Sequence, residues 1–485
     1  MKIFLIFPTQ LFKNIKILKN YDKIFIIEEP IYFTKYKFHK LKLAFHRATM
    51  KLYFNTLKKF NVKYYNFDED YIKDLKNSQI SFYDPIDHDL IEKLNKYKHK
   101  YNYTINMLET PEFITTYNDL KEYNKIAMNK KFHHNSSFYK WQRKRLKILP
   151  LTKYKLSYDK ENRKPFLHIR EPIKYKLQKS KYIIEAKKYV NKHFSENWGS
   201  LDNFIYPIDH KGAKLWLKNF IKYKFANFGK FQDAISSKIN FGYHSILSPL
   251  LNIGLLTDKD ILDNILSLQS KIPINSFEGY IRQIIGWKQA MRYLYQFHFD
   301  KFDNKNFLNH KNKISIRFWN ATTGMPPIDD CIKKAYKFSY LHHIERLMII
   351  GQFFLLTMID PNDVFDWFIS IVSIDSYQWV MYPNIYGMIM YADGGYMMSK
   401  PYFSSSKYIK KMSDYNQNEE TIILNGKKYK WYDIWDALYY NLINQHYNIF
   451  SKIYSMHINN WAKKSKKEKD SILKLAKLYL DYLKV

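Results

Sequence analysis

The sequence predicts an α/β domain with a parallel, Rossmann-like sheet, followed by a basic linker and a domain that is almost entirely helical. From residue 1 to about residue 130, short apolar runs typical of strands alternate with helical segments, whereas from about residue 205 onward helical periodicity dominates. The length supports this division, because 485 residues exceed what one hydrophobic core usually holds and 46% apolar content is enough to fill two.

Five apolar runs in the first domain have the length of strands. They are Lys2 to Phe7, Lys23 to Ile27, Val62 to Phe67, Ile80 to Tyr83 and Tyr103 to Met107. A long helical pattern covers Tyr36 to Phe60, and shorter ones occur near Tyr71 and Leu90. This alternation favours a parallel sheet with ligand space at the strand ends. Neither GxGxxG nor GxxxxGK[ST] occurs there, so a standard dinucleotide or P-loop site is not expected.

Two further segments follow the α/β domain. Residues 131–204 are basic and irregular, for example from Lys140 to Lys147, and are interpreted as a crossover linker on the surface. The helical domain is assigned to residues 205–485. One of its helix starts is clear, because Asp360 is a good N-cap and Pro361 suits the first helical position.

Charge is the strongest compositional signal. Lys and Arg total 79 against 45 Asp and Glu, a formal net charge of +34. Cations near a phosphate backbone gain affinity through counterion release, so nucleic acid is the first predicted partner and an anionic membrane the second. AT-rich coding would also enrich Lys, but it does not explain the shortage of acids. The Lys-rich helical tail from Lys463 to Lys477 is expected to face solvent, with an accessory phosphate contact as the alternative.

Cysteine content and hydropathy indicate the compartment. The single cysteine, Cys331, excludes an intramolecular disulfide and an all-cysteine metal site, which favours a reducing interior. The run from Ile3 to Phe7 is too short for a signal sequence, and the longest apolar run, Leu347 to Ile359, falls short of the ~20 residues that span a membrane. We therefore expect a soluble, cytoplasmic protein that acts as a monomer and does not bind membranes.

The segment from Gly324 to Tyr408 concentrates residue types that carry redox and acid/base chemistry. It contains YLHHIERLM (Tyr340 to Met348), SYQWVMYPNIYGM (Ser376 to Met388) and ADGG (Ala392 to Gly395), with Trp319 just upstream. Paired histidines on an apolar helix, several indoles and a glycine turn together indicate a buried redox cofactor beside an acid/base group.

The paired histidines, His342 and His343, are adjacent on a helix and cannot share a face. One is expected to face a pocket while the other packs or hydrogen-bonds, with Arg346 one turn from both. Histidine suits proton transfer in both directions because its pKa lies near the working pH. A zinc site is not expected, since HExxH and a thiolate cluster are absent. A core histidine satisfied by its neighbours is the plain alternative.

These segments resemble the photolyase/cryptochrome superfamily, and within it the prokaryotic (6-4) photolyases that usually carry an iron–sulfur cluster. The resemblance covers nearly the whole chain, including HKLKLAFHRATMKLYF (His39 to Phe54) and YDKENRKPF (Tyr158 to Phe166), and is strongest between Phe277 and Asp414. It implies a light-driven enzyme that repairs UV-damaged DNA, with a helical FAD-binding domain.

The resemblance implies FAD as the cofactor. HSILSP, from His244 to Pro249, is similar to the flavin-phosphate segment, in which hydroxyls and backbone N–H groups at a helix start bind an anion, although Ser before Pro is also a plain cap. Asp375 and Asn384 match the flavin cradle, with loop capping as the alternative, and the ADGG glycines would let the backbone approach the ring. The residues assigned to FAD are His244, Ser245, Leu247, Ser248, Asn252, Asp375, Asn384, Gly394 and Gly395.

The implied substrate is DNA that carries a (6-4) photoproduct. His343 would donate a proton to it, with His342 in support. Trp287 and Glu278 would supply the aromatic wall and the polar group that a flipped base needs, although Trp287 also suits a core. The residues assigned to the substrate are Glu278, Arg282, Trp287 and Arg346. Relatives have Arg-Glu where this chain has Lys288-Gln289, so the role of that pair is in doubt.

The resemblance also implies an electron relay and an antenna. Trp319 and Trp367 match the family's electron-transfer tryptophans, and Phe368 stands where relatives often have tyrosine, so the end of the relay stays open. An antenna chromophore of the ribityl-lumazine type is expected near Phe7 to Leu11 and Glu28 to Glu29.

The chain departs from the family at the iron–sulfur cluster. Where relatives have the four cysteines, this chain has Pro327, Asn416, Glu419 and Asp433. Such clusters are held almost always by thiolates, and Cys331 alone cannot replace four. We therefore expect no iron–sulfur cluster and no other metal.

Two other functions compete with repair. A cryptochrome-type blue-light photoreceptor would share the fold and the flavin but signal through conformational change. A DNA- or RNA-binding module would no longer use a flavin. The paired histidines favour repair, because pure signalling does not need them, and the intact flavin segments argue against the module.

Overall fold

The computed structural model describes residues 1–127, 131–132, 137–166, 170–417 and 421–484. The first domain contains a five-stranded, fully parallel sheet in the order β3-β2-β1-β4-β5. Its strands are β1 (Lys2–Ile6), β2 (Lys23–Ile27), β3 (Val62–Tyr65), β4 (Gln79–Tyr83) and β5 (Thr104–Leu108). The predicted parallel α/β sheet is confirmed, since every strand falls on one of the five apolar runs.

β1 is the central strand of the sheet. Its residue Ile3 pairs with Lys23 on one side and with Ile80 on the other. β2 and β3 lie on one side of β1, and β4 and β5 lie on the other, so the chain adds strands in opposite directions from β1. Such a switch point opens a crevice at the carboxyl ends of the strands. Here the crevice lies between Phe7–Gln10 and Asp84–Asp87.

The predicted helix from Tyr36 to Phe60 is shorter in the structure. It is α1 (Lys40–Thr56), and it begins after His39, whose ring Nδ1 accepts the Leu41 N–H at 3.0 Å. The other helices of this domain are α2 (His88–Tyr101) and α3 (Tyr117–Ala127).

The segment from 131 to 204 is less irregular than expected. It contains α4 (Tyr139–Leu146) and α5 (Lys181–His193). Ile183, Ala186 and Val190 are buried on one face of α5, which packs against α1. The prediction of an irregular segment was wrong here, because the lysines between these three positions mask a narrow apolar stripe.

The helical second domain confirms the rest of the predicted fold class. Its helices are α6 (His210–Tyr223), α7 (Phe225–Phe228), α8 (Ser248–Leu251), α9 (Asp258–Ile265), α10 (Ile274–Ile281), α11 (Gln289–His298), α12 (Ile316–Asn320), α13 (Pro326–Phe338), α14 (Gln352–Leu356), α15 (Pro361–Ile371), α16 (Gln378–Tyr382), α17 (Lys407–Met412), α18 (Trp431–Gln445), α19 (Tyr447–Phe450), α20 (Ser455–Ala462) and α21 (Lys466–Leu483). A small antiparallel hairpin consists of β6 (Thr421–Leu424) and β7 (Lys427–Lys430). None of the helices in the described ranges is both long and apolar enough to cross a membrane.

Three helical segments have π geometry, which the sequence did not predict. They are Arg282–Lys288, Glu345–Gly351 and Pro383–Ile389. π-helical turns are rare and occur frequently at functional sites. All three contribute side chains to the same group of cavities.

The predicted start of α15 is confirmed. Asp360 accepts the Asn362 N–H at 2.9 Å, and Pro361 is the first helical residue. The lysine-rich tail forms α21, which begins with a reciprocal cap between Ser465 and Glu468.

Candidate active site

Three adjoining cavities lie between the helices of the second domain. The main cavity, of about 260 Å³, is lined by His244, Ser248 and Trp287 among others. The second, of about 190 Å³, is lined by Arg346 and Phe368 and shares Ser248 with the main cavity. The third, of about 300 Å³, shares Trp287 with the main cavity. Because their walls are shared, we treat them as one composite site.

The three π-helical segments supply much of the wall. The first provides Trp287 and Lys288 to the main cavity, the second provides Arg346 to the second cavity, and the third provides Asn384 and Met388 to both. A π turn displaces the residues after it around the helix axis, so each segment directs side chains inward that a regular helix would place elsewhere.

Of the predicted flavin residues, seven line the main cavity. They are His244, Ser245, Leu247, Ser248, Asn252, Asp375 and Asn384. The structure places Gly394 and Gly395 elsewhere. Gly394 packs against the Phe307 ring and Gly395 against Tyr391, and neither is among the residues that line the three cavities.

Asp375 holds the wall of the main cavity together. One of its carboxylate oxygens accepts the Ser248 hydroxyl at 2.6 Å, and the other accepts the Arg346 guanidinium at 2.7 Å. Its backbone carbonyl accepts the Asn252 amide at 2.9 Å. Both partners of the ion pair are largely buried, so the charge of Arg346 is neutralised mainly by Asp375.

The two histidines have different surroundings, as predicted. The His342 ring is buried and stacks on the His244 ring, with centroids 4.2 Å apart and planes 6° apart. Its Nε2 lies 3.4 Å from the Glu345 carboxylate, which is also paired with Lys334. His342 is not among the residues that line the cavities, and its contacts are those of a packing residue.

His343 is the titratable residue that lines all three cavities. Its side chain is accessible because it faces this open space. Its position deep in the fold, and secondarily the nearby Arg346 charge, lower the pKa of His343 to about 4. The imidazole is therefore neutral at pH 7, and a negative charge beside it would favour the protonated form.

The predicted substrate residues separate into two groups. Trp287 lines the main and third cavities, Arg282 lines the third and Arg346 the second. Glu278 is fully buried outside them and accepts hydrogen bonds from the Tyr139 hydroxyl at 3.0 Å and from Arg282 at 3.1 Å. Glu278 therefore positions Arg282 and joins α10 to the linker, rather than facing a ligand in the site.

The linker reaches the third cavity, which the sequence did not show. Asp159 forms an ion pair with Arg282, and Arg163 lies 3.7 Å from Asp233. Burial raises the pKa of Asp233 to about 6, against the opposing effect of Arg163. The resemblance of the YDKENRKPF segment to the family was the one sign in the sequence that these linker residues could belong to the site. Their position at the cavity depends on how the linker packs against the second domain.

Lys288, whose role was in doubt, lies in the wall of the main cavity. Its ammonium is 3.2 Å from the Glu112 carboxylate and 3.1 Å from that of Asp258. Burial raises the pKa of Glu112 to about 7, although Lys288 opposes the shift. Gln289 donates to Asp258 at 2.6 Å. Through these contacts, Lys288 and Gln289 connect the cavity wall with Glu112, at the end of the first domain, and with Asp258.

The two predicted relay tryptophans lie away from the cavities. Trp367 is fully buried, and its ring centroid is 5.2 Å from that of Phe368, which lines the second cavity. The Trp367 Nε1 donates to the Phe318 carbonyl at 3.2 Å, next to Trp319. Trp319 itself is partly exposed.

The positions matched to cluster cysteines do not form a metal site in the described part of the chain. Pro327 is buried in α13, Asn416 lies in a 3-10 turn and Asp433 is in the first turn of α18, whereas Glu419 lies outside the described residues. Within the described ranges, no three His, Cys, Asp or Glu side chains are grouped so that they could hold a metal ion. Burial raises the pKa of the Cys331 thiol.

Comparison with known proteins agrees with this geometry. The family described as deoxyribodipyrimidine photo-lyase-related protein matches residues 4–206. A (6-4) photolyase of Agrobacterium fabrum is 29% identical over 401 residues, which cover 78% of each chain. An uncharacterized protein of Acanthamoeba polyphaga mimivirus is 42% identical over 129 residues, which cover 27% of this chain and 94% of that protein.

Solved structures show the same fold. A Synechocystis cryptochrome superposes with a TM-score of 0.58 at 14% identity, over 85% of this chain and 88% of that one. A bacterial class III photolyase from Agrobacterium tumefaciens superposes with a TM-score of 0.58 at 13% identity, over 100% and 97%. The fold is thus that of the photolyases and cryptochromes. Residues 4–206 match the photolyase-related family, and the chain is similar over most of its length to a (6-4) photolyase.

Proposed function

We propose that the protein is a light-dependent DNA photolyase that uses FAD to repair (6-4) photoproducts. The observation that carries the proposal is the position of His343, which faces the main cavity, lined by seven of the assigned flavin residues, and also the third cavity, lined by Arg282 and Trp287. One imidazole thus lies between the space for a cofactor and the space for a lesion. The similarity to a (6-4) photolyase supports this choice of lesion.

The residues of the main cavity fit FAD. His244 lines the cavity, and its buried Nε2 has no hydrogen-bond partner, so it is available to a ligand. Asp375 holds both the Ser248 hydroxyl, which lines this cavity, and Arg346, which lines the adjoining second cavity. Both would bind the pyrophosphate, so that Arg346, assigned to the substrate from the sequence, would serve the cofactor. The Asn384 amide nitrogen donates to the Val380 carbonyl at 2.7 Å, which leaves its oxygen to accept from the flavin ring. When bound, FAD supplies an excited-state electron donor.

His343 would hold and move the proton. Negative charge from bound DNA beside His343 would favour uptake of a proton from solvent by the imidazole, and electron transfer to a (6-4) photoproduct would then make the lesion an anionic proton acceptor. The proton then passes from the imidazole to the lesion as the developing charge is neutralised. Trp287 would stack on the flipped base, and the buried walls would exclude water from the charged intermediate.

Repair of defined lesions tests the proposal. Duplexes that carry either a (6-4) photoproduct or a cyclobutane dimer are incubated with the FAD-bound protein in blue light and in the dark. We expect repair of the (6-4) lesion in light only. Light-induced flavin chemistry without repair of either lesion would overturn the proposal and favour the photoreceptor alternative.

We also propose an antenna chromophore at the crevice of the first domain. Two buried polar atoms of the first domain, His46 Nδ1 and Asp87 Oδ1, lack a hydrogen-bond partner. Orphaned buried polar groups are costly, so a bound polar molecule would satisfy them. Glu28 and Glu29, which were expected to lie beside the antenna, already form ion pairs, Glu28 with Arg47 and Glu29 with Lys93. Mass spectrometry of the small molecules released on denaturation tests this proposal.

The purified protein is expected to be yellow and free of iron. The reason is that seven of the nine assigned flavin residues line the main cavity, while the four positions matched to cluster cysteines hold other residues. Absorbance and elemental analysis of the same sample measure both properties. About four iron atoms per chain would contradict the expected loss of the cluster, and a colourless protein after reconstitution with FAD would contradict the cofactor assignment.

Binding to damaged duplex is expected to weaken steeply with salt, because many cations are available to displace counterions. Each phosphate contact adds about 0.9 to the slope of log affinity against log salt, so Arg163→Gln, at the third cavity, should lower the slope by about that amount. Lys467→Gln, a matched charge removal on the exposed face of α21, should leave it unchanged. A parent slope near zero would mean that the net charge is compositional drift.

The remaining proposals concern assembly and location. We propose that the protein acts as a monomer on DNA in the cytoplasm. Light scattering after size-exclusion chromatography tests the oligomeric state, and imaging of a tagged chain tests the location.

A further inference from the structure

A stacked pair of indoles connects the linker to the second domain. Trp198 lies five residues after α5, and Trp319 lies in α12. Their ring centroids are 4.6 Å apart and their planes are inclined by only 17°. The other tryptophan pair in the described ranges, Trp431 and Trp435, meets edge-on at 6.5 Å. Trp198 and Trp319 thus form the cofacial indole pair of the described chain.

The pair is held by backbone contacts from two helices. The Trp198 carbonyl accepts the Lys40 N–H at 2.9 Å, at the start of α1. The Trp319 carbonyl accepts the Tyr336 hydroxyl at 2.5 Å, from α13, and the Tyr336 ring lies 6.4 Å from that of Trp198. Anchors on both sides fix the stacking geometry, so it is not a chance contact between mobile surface side chains.

A path of backbone, hydrogen-bond and ring contacts joins this pair to the second cavity. Trp319 follows Phe318, whose carbonyl accepts the Trp367 indole N–H at 3.2 Å. The Trp367 ring is 5.2 Å from Phe368, which lines the cavity. Trp198 and Trp319 are both partly exposed, whereas Trp367 is fully buried. The path therefore runs from the buried site to solvent and ends at Trp198.

We propose that Trp198 is the outer end of the electron relay, so that electrons travel from Trp198 through Trp319 and Trp367 to the cofactor site. This inference rests on the proposed function, because the acceptor is light-excited oxidised flavin. Two cofacial indoles share the positive charge left by the departing electron, which makes oxidation of the pair easier than oxidation of one ring.

Each photoreduction event moves one electron and releases one proton. One electron leaves the Trp198 ring and reaches the flavin, and the oxidised indole releases its N–H proton to water at the partly exposed surface. Release of the proton prevents the electron from returning. A thiol in solution then gives one electron and one proton back to Trp198 and becomes a thiyl radical, and the two thiyl radicals from two such events combine as a disulfide.

Lys37 offers a substitution that tests charge rather than packing. Its ammonium lies 4.8 Å from the centre of the Trp198 ring. A cation above an indole stabilises the neutral ring and opposes positive charge on it. Lys37→Met keeps the aliphatic stem and removes the charge, so photoreduction should become faster. A purely structural role of Trp198 predicts no acceleration.

The experiment compares single substitutions in the FAD-bound full chain, with dithiothreitol as the thiol and blue light as the driver. Trp198→Phe should slow photoreduction about tenfold, Trp367→Phe should nearly abolish it, and Trp141→Phe, a partly buried linker tryptophan away from the path, should change it by less than about twofold. Near-ultraviolet circular dichroism of the flavin-free proteins gives an independent readout. The stacked indoles should produce an exciton couplet that Trp198→Phe and Trp319→Phe lose and Trp141→Phe keeps.

The outcomes separate this inference from the proposed function. If Trp367→Phe abolishes photoreduction while Trp198→Phe reacts at the parent rate, the relay ends at Trp319 and the inference is wrong. If the parent protein binds no flavin, the proposed function fails, while the circular dichroism still reports on the indole pair. A parent protein without a couplet would overturn the stacking on which the inference depends.

Discussion

Replacing His343 by alanine should reduce light-driven repair by at least the ~10² typical of losing a general acid. The substitution should leave FAD binding, photoreduction and lesion affinity within roughly tenfold of the parent, because the loss falls on a transition-state step. The structural reason is that His343 faces all three cavities and its side chain is largely free of packing. Repair rates at saturating damaged DNA, with separate binding measurements, check this expectation.

His342→Ala is the contrasting variant. His342 stacks on His244 and contacts Glu345, so its loss should lower the melting temperature and FAD retention together with repair. Repair of (6-4) DNA by His343→Ala at nearly the parent rate would end the assignment of His343 as the proton donor. If His343→Ala loses FAD, His343 is instead a core histidine that supports the helix.

Replacing Asp375 by alanine should lower stability by about 3–5 kcal/mol, because Arg346 is left as an uncompensated buried charge, and it should weaken FAD binding, because Arg346 loses the carboxylate that positions it. The change also releases Ser248 and Asn252, which Asp375 holds against the main cavity. Titration of the flavin-free variant with FAD, followed by flavin fluorescence, measures the effect.

Asp393→Ala is the matched control for Asp375→Ala. Asp393 is also a largely buried acid, and it accepts the N–H groups of Gly395 and Met397 in a turn away from the cavities. Asp393→Ala should lower thermal stability without a selective loss of FAD affinity. Equal loss of FAD in both variants would attribute the effect of Asp375 to general unfolding, and unchanged FAD binding in Asp375→Ala would remove Asp375 from the site.

The sequence predicted the sheet well because each strand is a short apolar run between turns, a local pattern that does not depend on the rest of the chain. It predicted α15 for the same reason, since Asp360 and Pro361 specify a helix start within two residues. It predicted α5 poorly. The three buried positions of α5 are distinguished from the surrounding lysines only by the face of α1 that they contact. The domain boundaries near residues 130 and 204 stay predictions.

The resemblance identified most of the residues that line the cavities, but not what each of them does. Glu278 and Trp287 lie in one short segment, yet Glu278 hydrogen-bonds within the protein while Trp287 faces the cavities. Nine residues separate them, which on a regular helix is about two and a half turns, so the two side chains lie on opposite faces. The π-helical turn that begins at Arg282 was not predicted from the sequence.

The sequence by itself determined the fold class, the resemblance to photolyases and most of the residues that line the cavities, because local periodicity and short motifs carry that information. Only the tertiary structure decided that His343 rather than His342 faces the cavities, that Asp375 joins Arg346 to Ser248, and that Trp198 stacks on Trp319. Each of these depends on contacts between segments that are far apart in sequence or on the rotation of a helix within the packed domain. Such contacts are set by how the helices pack, and the local sequence does not encode them.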